Sequence, residues 1–191
     1  FKRSNPSYVV HMAGLSRPMN IHDKNIEKSI SLNIIGTSNI VIACKKYNCK
    51  LIYISTNFVY PGKKGDYKEN DSLNPVNNYA WSKLGGESAV RMYKNSLILR
   101  VCTTEEPFIH KKAFTDVITN FEYHKVIGNY IFKLINKKGV INLGGKAQSV
   151  YNFAKGKNLK VKKISAKKKF GRNYPLRQDM NLDKLKKFIK I

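Results

Sequence analysis

An apolar run, Leu51-Ile52-Tyr53-Ile54, stops at two hydroxyls, Ser55 and Thr56. Such a run reads as a buried strand, and in an α/β sheet ligands sit just beyond the carboxyl ends of the strands. The hydroxyls therefore fall where a ligand is met. Downstream comes Asn78-Tyr79-Ala80-Trp81-Ser82-Lys83, continuing to Tyr93 in a pattern that reads as a helix. At four-residue spacing Tyr79 and Lys83 lie one above the other on the same helical face. A phenol titrates near about 10, so it is a poor acid or base at neutral pH, and a nearby ammonium draws that value down. A strand-end hydroxyl can then hydrogen-bond the same carbonyl oxygen that Tyr79 protonates. A Tyr-x-x-x-Lys string alone arises in helices by chance; its order after Ser55-Thr56 is what carries weight.

Ser/Thr, then Tyr, then Lys is the residue order of the short-chain dehydrogenase/reductase family, which this chain resembles. The likeness sharpens in Ser55-Thr56-Asn57-Phe58-Val59-Tyr60-Pro61-Gly62, in Asn74-Pro75 and in Tyr79-Ala80-Trp81-Ser82-Lys83-Leu84-Gly85-Gly86-Glu87. Together these resemble the extended, dTDP-4-dehydrorhamnose reductase-like branch, the sugar-nucleotide-binding proteins. The resemblance implies an α/β fold, a Rossmann-type parallel sheet with a small carboxyl-terminal substrate lobe. It divides the chain into residues 1–112, a partial NAD(P)-binding domain with Thr56, Tyr79 and Lys83, and residues 113–191, the substrate lobe intertwined with it. Members of the family begin with a βαβ unit whose glycine-rich turn cradles a pyrophosphate. No G-x-G-x-x-G spacing occurs here and the first residue is Phe1, so a fragment lacking its first strands is expected.

Composition bounds the remaining choices. At 191 residues one sizeable core is expected. No apolar run approaches the ~20 residues that span a bilayer, and no signal peptide is visible, so no membrane partner is expected. Cys44, Cys49 and Cys102 make an odd count without a CxxC pair. That pattern fits a reduced, cytoplasmic protein with no disulfide framework and no metal site, and Cys44 is expected to be a small buried residue. The net charge of +24 comes from thirty Lys against six Arg. Nucleic-acid readers lean on Arg forks, so nucleic acid is disfavoured as a partner. Solvated Lys faces, densest at Lys155 to Lys169 and Lys184 to Lys190, are the expected form of the excess, with steering of an anionic substrate next.

Along the chain, Tyr8-Val9-Val10-His11-Met12 reads as a strand. By resemblance Gly14, Leu15 and Ser16 after it line the cofactor together with Ile54, and His11 replaces a family Asn. From Lys24 to Tyr47, Ile26, Ile30, Ile34, Val41 and Ile42 recur at helical intervals and predict one amphipathic helix. Within it Asn33 bridges to strand backbone in the family, although an Asn inside a helix can equally satisfy a nearby carbonyl. Residues 61–74 read as a polar surface loop, and Asn77 or Asn78 as the cap of the Tyr79 helix. Ser96 to Val101 is the next strand, with Arg100 structural. An extended piece at Asn120 to His124, a helix to Leu134, a strand and turn over Gly139 to Gly145 and a helix over Ser149 to Ala154 follow.

The resemblance implies reduction of a 4-keto nucleotide sugar with NADPH or NADH. Tyr79 gives the proton, Thr56 with Ser55 holds the oxygen, and Lys83 lowers the Tyr79 pKa and binds the nicotinamide ribose. Ser55, Thr56, Asn57, Thr103, Arg172 and Arg177 are the implied substrate contacts. Asn57 stands where these reductases carry Asp, and Thr103 where they carry Trp. The alternatives are a non-catalytic sugar-nucleotide-binding or regulatory protein and a related NAD-dependent epimerase or dehydratase. Dehydratases place Asp-Glu after the strand-end Thr, where this chain has Asn57-Phe58. Whether the protein forms a homodimer stays open.

Overall fold

β1 (Tyr8–His11) and β2 (Lys50–Thr56) run parallel in the computed structural model, with Val9 opposite Leu51 and His11 opposite Tyr53. The structure describes residues 1–156 and 160–190. Between the two strands lie α1 (Ile21–Lys24), α2 (Ile26–Ile30), a π-helical turn at Ser31–Ile35, and α3 (Gly36–Lys46). A 3₁₀ turn at Asn57–Val59, α4 (Asn78–Arg91) and β3 (Ser96–Val101) follow. Then come β4 (Thr103–Thr104), β5 (Lys112–Phe114), β6 (Ile118–Thr119), β7 (Glu122–Tyr123) and α5 (His124–Leu134). The chain closes with β8 (Gly139–Leu143), β9 (Gln148–Ser149), α6 (Val150–Lys155), β10 (Lys162–Ile164), α7 (Ala166–Phe170) and α8 (Asp183–Lys186). The main sheet has the order β1-β2-β3-β8. No helix among the described residues is long and apolar enough to cross a membrane.

The described residues form two compact units that interleave along the chain. The first holds Phe1–Val59, Pro75–Arg100 and Ile135–Ile141; the second holds Tyr60–Asn74, Val101–Leu134 and the rest from Asn142. Residues 60–74 and 101–112, assigned from sequence to the first part, thus pack in the second. Of the Lys155 to Lys169 cluster, residues 157–159 lie outside the described residues.

In the first unit, Leu51 and Tyr53 of β2 pack with Cys44, Cys49, Val90, Tyr93 and Ile98. These residues lie at most 8% exposed, and burial of this kind is the main term favouring the fold. The Tyr93 hydroxyl donates to the Cys49 carbonyl at 2.7 Å, satisfying the polar end of a buried ring. All three cysteines are free and buried.

The helical stretch before β2 departs from its sequence pattern. Asn25, at φ −140°, breaks it, and its side chain caps α2 by accepting from the Lys28 N–H at 2.8 Å. The π turn then inserts an extra residue, as such bulges do. Ile26, Ile30 and Ile42, expected on the buried face, are 55%, 42% and 65% exposed. The buried stripe is instead His22, Ser29, Asn33, Thr37 and Cys44. Each polar member of it has a partner: His22 with Ser29 at 2.7 Å, Thr37 with His11 at 3.0 Å and with the Asn33 carbonyl at 2.8 Å. A hydrogen-bonded polar group is buried at lower cost than an unpaired one.

α4 is capped by Asn77, whose side chain accepts from the Ala80 N–H at 2.9 Å. It buries Ala80, Ser82, Lys83, Gly86, Glu87 and Val90. A Cβ on Gly86 would meet the Tyr53 hydroxyl oxygen at 2.5 Å and the Asn33 carbonyl at 2.9 Å. The bare glycine is therefore what lets α4 approach β2 and the π turn.

The second unit is built from short ladders: β4 with β7 and β5 with β10 in parallel, β6 with β9 antiparallel. Its core gathers Phe108, Ala113, Val117, Val150, Ala154, Val161 and Ala166. The stretch 61–74, expected as a surface loop, is anchored there. Tyr67 is 2% exposed and stacks on Tyr60 with centroids 4.9 Å apart, and its hydroxyl accepts from the Lys63 N–H at 2.8 Å.

Candidate active site

The carboxyl end of β2 and the first turns of α4 place Thr56, Tyr79 and Lys83 in the same unit. Thr56 is 5% exposed, and its hydroxyl accepts from the Phe58 N–H at 3.3 Å, which fixes it at the strand end. Tyr79 is half-buried. Burial holds its phenol above the ordinary value, and the hydrogen-bonding Thr56 hydroxyl and then the Arg17 guanidinium work against it. The sequence pointed to Lys83 as the charge that draws the phenol down; the opposing cation here is Arg17.

Lys83 is 6% exposed, and its amine lies 4.2 Å from the centre of the Tyr53 ring. Burial first, opposed by Glu87, sets its pKa to about 8. An ammonium over an aromatic face gains from the ring quadrupole, which offsets part of the burial cost. The Tyr53 hydroxyl donates to the Lys83 carbonyl at 3.1 Å, so one ring supports both ends of this residue.

Asn33 ties the loop after β1 to α4. Its Nδ2 donates to the Leu15 carbonyl and to Ser82 Oγ, both at 2.8 Å, and its Oδ1 accepts from the Leu15 N–H at 2.7 Å. The Ser82 hydroxyl in turn donates to the Tyr79 carbonyl at 2.7 Å. A Cβ on Gly14 would lie 2.9 Å from Asn33 Oδ1, so the glycine admits this clamp. Gly14 and Ser16 are exposed, Leu15 and Ile54 half-buried. The backbone of this loop is thus bare and rigidly held beside α4.

The other sequence-derived positions divide. Ser55 and Asn57 are buried beside Thr56, and Ser55 Oγ has no hydrogen-bond partner among the described residues. Thr103, Arg172 and Arg177 belong to the second unit. There the Thr103 hydroxyl donates to the Glu122 carbonyl at 3.0 Å, Arg172 is exposed, and Arg177 pairs with Asp179 at 3.0 Å. Among the described residues no group of three His, Cys, Asp or Glu side chains is placed to hold a metal ion.

Two residues near Tyr79 escaped the sequence reading. His22 is 1% exposed and its ring centre lies 5.2 Å from that of Tyr79; Arg17 contributes the charge already noted. A visible signal existed for the first: His22, Ser29, Asn33 and Thr37 recur on one helical stripe. The apolar residues between them masked it.

The family profile described as the RmlD substrate binding domain matches residues 1–120. A dTDP-D-glucose 4,6-dehydratase of Dictyostelium discoideum is 31% identical over 209 aligned positions, covering all of this chain and 46% of the relative. The methionine adenosyltransferase 2 subunit beta of Danio rerio is 36% identical over 97 residues, half of this chain and 29% of that protein. The chain thus spans less than half the length of these relatives. A solved dTDP-4-dehydrorhamnose reductase from Bacillus anthracis, in complex with NADP, superimposes with a TM-score of 0.84 at 20% identity, covering all of this chain and 78% of that one. At that identity the likeness establishes the fold, a Rossmann-like α/β sheet. With the profile matching well over half of the sequence, the chain belongs to the RmlD substrate binding domain family.

Proposed function

We infer that this chain carries the proton-donating centre of an NAD(P)H-dependent reductase acting on a 4-keto nucleotide sugar. The observation that supports this most is the pairing of the Thr56 hydroxyl with the Tyr79 phenol at the end of β2. Burial keeps the phenol neutral, so its proton is held until a carbonyl oxygen beside it gains negative charge. Thr56 donates to the same oxygen and shares that charge. Lys83 brings a cation close to neutrality, one helical turn further on.

The residues present fit the nicotinamide end of a dinucleotide. Bare, exposed backbone at Gly14 to Ser16, pinned by Asn33, offers a flat approach, and Ser55 Oγ is a buried polar atom awaiting a partner. Ile54, Tyr79 and Lys83 complete that surface. A reduced nicotinamide, when bound, supplies the hydride for C4 of the sugar. Within the first unit Ser55, Thr56 and Asn57 are the candidates for the sugar.

Tyr79→Phe tests the reading directly. General-acid help of this kind is worth roughly 10²- to 10⁴-fold, so NAD(P)H consumption with a dTDP-4-keto sugar should fall by that factor while complex formation persists. Unchanged turnover would reject the assignment.

The similarity to a protein named as a subunit, the Danio rerio methionine adenosyltransferase 2 subunit beta, favours a second reading. In it the chain keeps the fold as a non-catalytic regulatory partner. Binding of a nucleotide sugar with no NAD(P)H consumption, in wild-type protein, would select it. The Dictyostelium dehydratase aligns along the whole chain, but Asn57-Phe58 lacks the acid pair that a dehydratase of this type uses.

A further inference from the structure

The short helix α1 is tied to the start of α4 at two successive residues. Asp23 Oδ1 accepts from Asn78 Nδ2 at 2.8 Å. Next to it, the His22 ring lies against the Tyr79 ring, centroids 5.2 Å apart and planes at 59°. The imidazole is itself held, since its Nδ1 is 2.7 Å from Ser29 Oγ on α2. It is 1% exposed, and its Nε2 is buried with no hydrogen-bond partner among the described residues. Leaving a polar nitrogen buried and unpaired is costly. If the site needed only filling, an apolar ring would fill it at lower cost. The position therefore answers to something other than core packing.

We propose that His22 is a positioning residue for Tyr79: anchored by Ser29, it holds the phenol ring in the orientation that keeps its hydroxyl at Thr56. The inference rests on Tyr79 as the proton donor of the proposed reaction. Geometry carries the case. The Tyr79 backbone is fixed through the Ser82 hydroxyl and the helix cap at Asn77, which leaves the swing of the side chain about its Cα–Cβ bond as the freedom that would move the hydroxyl, and the imidazole packed against the ring restrains that swing. Burial also keeps the imidazole pKa below its ordinary value, against a weaker opposing pull from Asp23, so at neutral pH it adds no charge beside Arg17 and Lys83. The segment from Arg17 to Asp23 thus supplies Tyr79 with a charge, a ring contact and a tether.

Two readouts test this. Three-bond N–Cγ and C′–Cγ couplings of isotope-labelled tyrosine, with Tyr79 assigned by loss of its signals in Tyr79→Phe, report the rotamer about the Cα–Cβ bond without turnover. In the wild type Tyr79 should hold one rotamer; in His22→Ala the couplings should average over more than one. In NAD(P)H-consumption assays the same variant should lose roughly 10- to 100-fold in kcat, the scale of a misplaced reacting group, with KM unchanged. Should His22→Ala fail to fold, Ser29→Ala removes only the hydroxyl that anchors the imidazole and should average the same couplings. Unaltered Tyr79 couplings in a folded His22→Ala or Ser29→Ala protein would overturn the proposal. Wild-type protein without turnover would instead defeat the reductase reading, and the coupling measurement would still decide whether His22 orients Tyr79.

Discussion

Glu87 of α4 and Arg100 of β3 meet in a two-pronged ion pair, Nε to Oε1 at 3.0 Å and Nη2 to Oε2 at 2.8 Å, with both side chains wholly buried. The planar guanidinium matches the carboxylate fork, the geometry in which such pairs are strongest. Arg91 lies 3.7 Å from the same carboxylate and is itself 48% exposed, so Arg100 is the partner that cannot be replaced by solvent. Removing it should leave a buried, uncompensated carboxylate. Arg100→Ala is expected to lose about 3–5 kcal/mol of unfolding free energy in urea. Glu87→Gln with Arg100→Met should lose less than Arg100→Ala alone, because no bare charge remains.

Gly86 tests how closely α4 must approach β2. Alanine is the better helix former by about 1 kcal/mol, so on local grounds Gly86→Ala should stabilise. The Cβ would meet the Tyr53 hydroxyl at 2.5 Å and the Asn33 backbone carbonyl at 2.9 Å. The ring end can give way, but the carbonyl belongs to the π turn and cannot. A net loss of about 1–3 kcal/mol is expected from thermal or urea unfolding. Tyr53→Phe should recover only part of it.

Asn33 is the bracket between the loop after β1 and α4. Asn33→Ala removes three hydrogen bonds at once and leaves the Leu15 N–H without its side-chain acceptor. Hydrogen exchange at the Leu15 amide should accelerate by at least about tenfold, while amides of β3 stay protected. Equal protection at Leu15 in the variant would show that the loop is held by other means.

Acid should destabilise the protein before its carboxylates titrate. His11 is held below the ordinary imidazole value by burial first and then by the Lys83 charge, and His22 by burial. The unfolded chain therefore binds more protons than the folded one between the folded values and the unfolded value near 6.5, and stability rises with pH through that window. Stability is full above about 6.5 and is lost as pH falls. The urea midpoint should be lower at pH 5.5 than at pH 7.5, and His11→Gln should flatten that dependence. A midpoint that does not change between the two values would mean that neither histidine is buried neutral.

Local pattern was enough to locate the strand ending in Ser55-Thr56, the helix carrying Tyr79 and Lys83, an Asn cap at residue 77 or 78 and the strand with Arg100. Each depends on contacts within a few residues, such as an unbroken apolar run, a four-residue period or an Asn before a helix, and such signals survive without knowledge of the fold. The order of these elements also pointed to the α/β sheet. Other features depended on partners far along the chain. Which face of residues 21–46 turns inward was decided by Ser82, Leu15 and His11, because Asn33 and Thr37 are buried where these distant groups satisfy them, and Ile26, Ile30 and Ile42 were displaced to the surface in consequence. The protonation of Tyr79 was likewise set by burial, Thr56 and Arg17, three influences that converge only in space. The sequence by itself determined which chemical groups stand at the strand end and on the helix; the tertiary structure alone decided their surroundings, because desolvation and electrostatics follow distance in space and not along the chain.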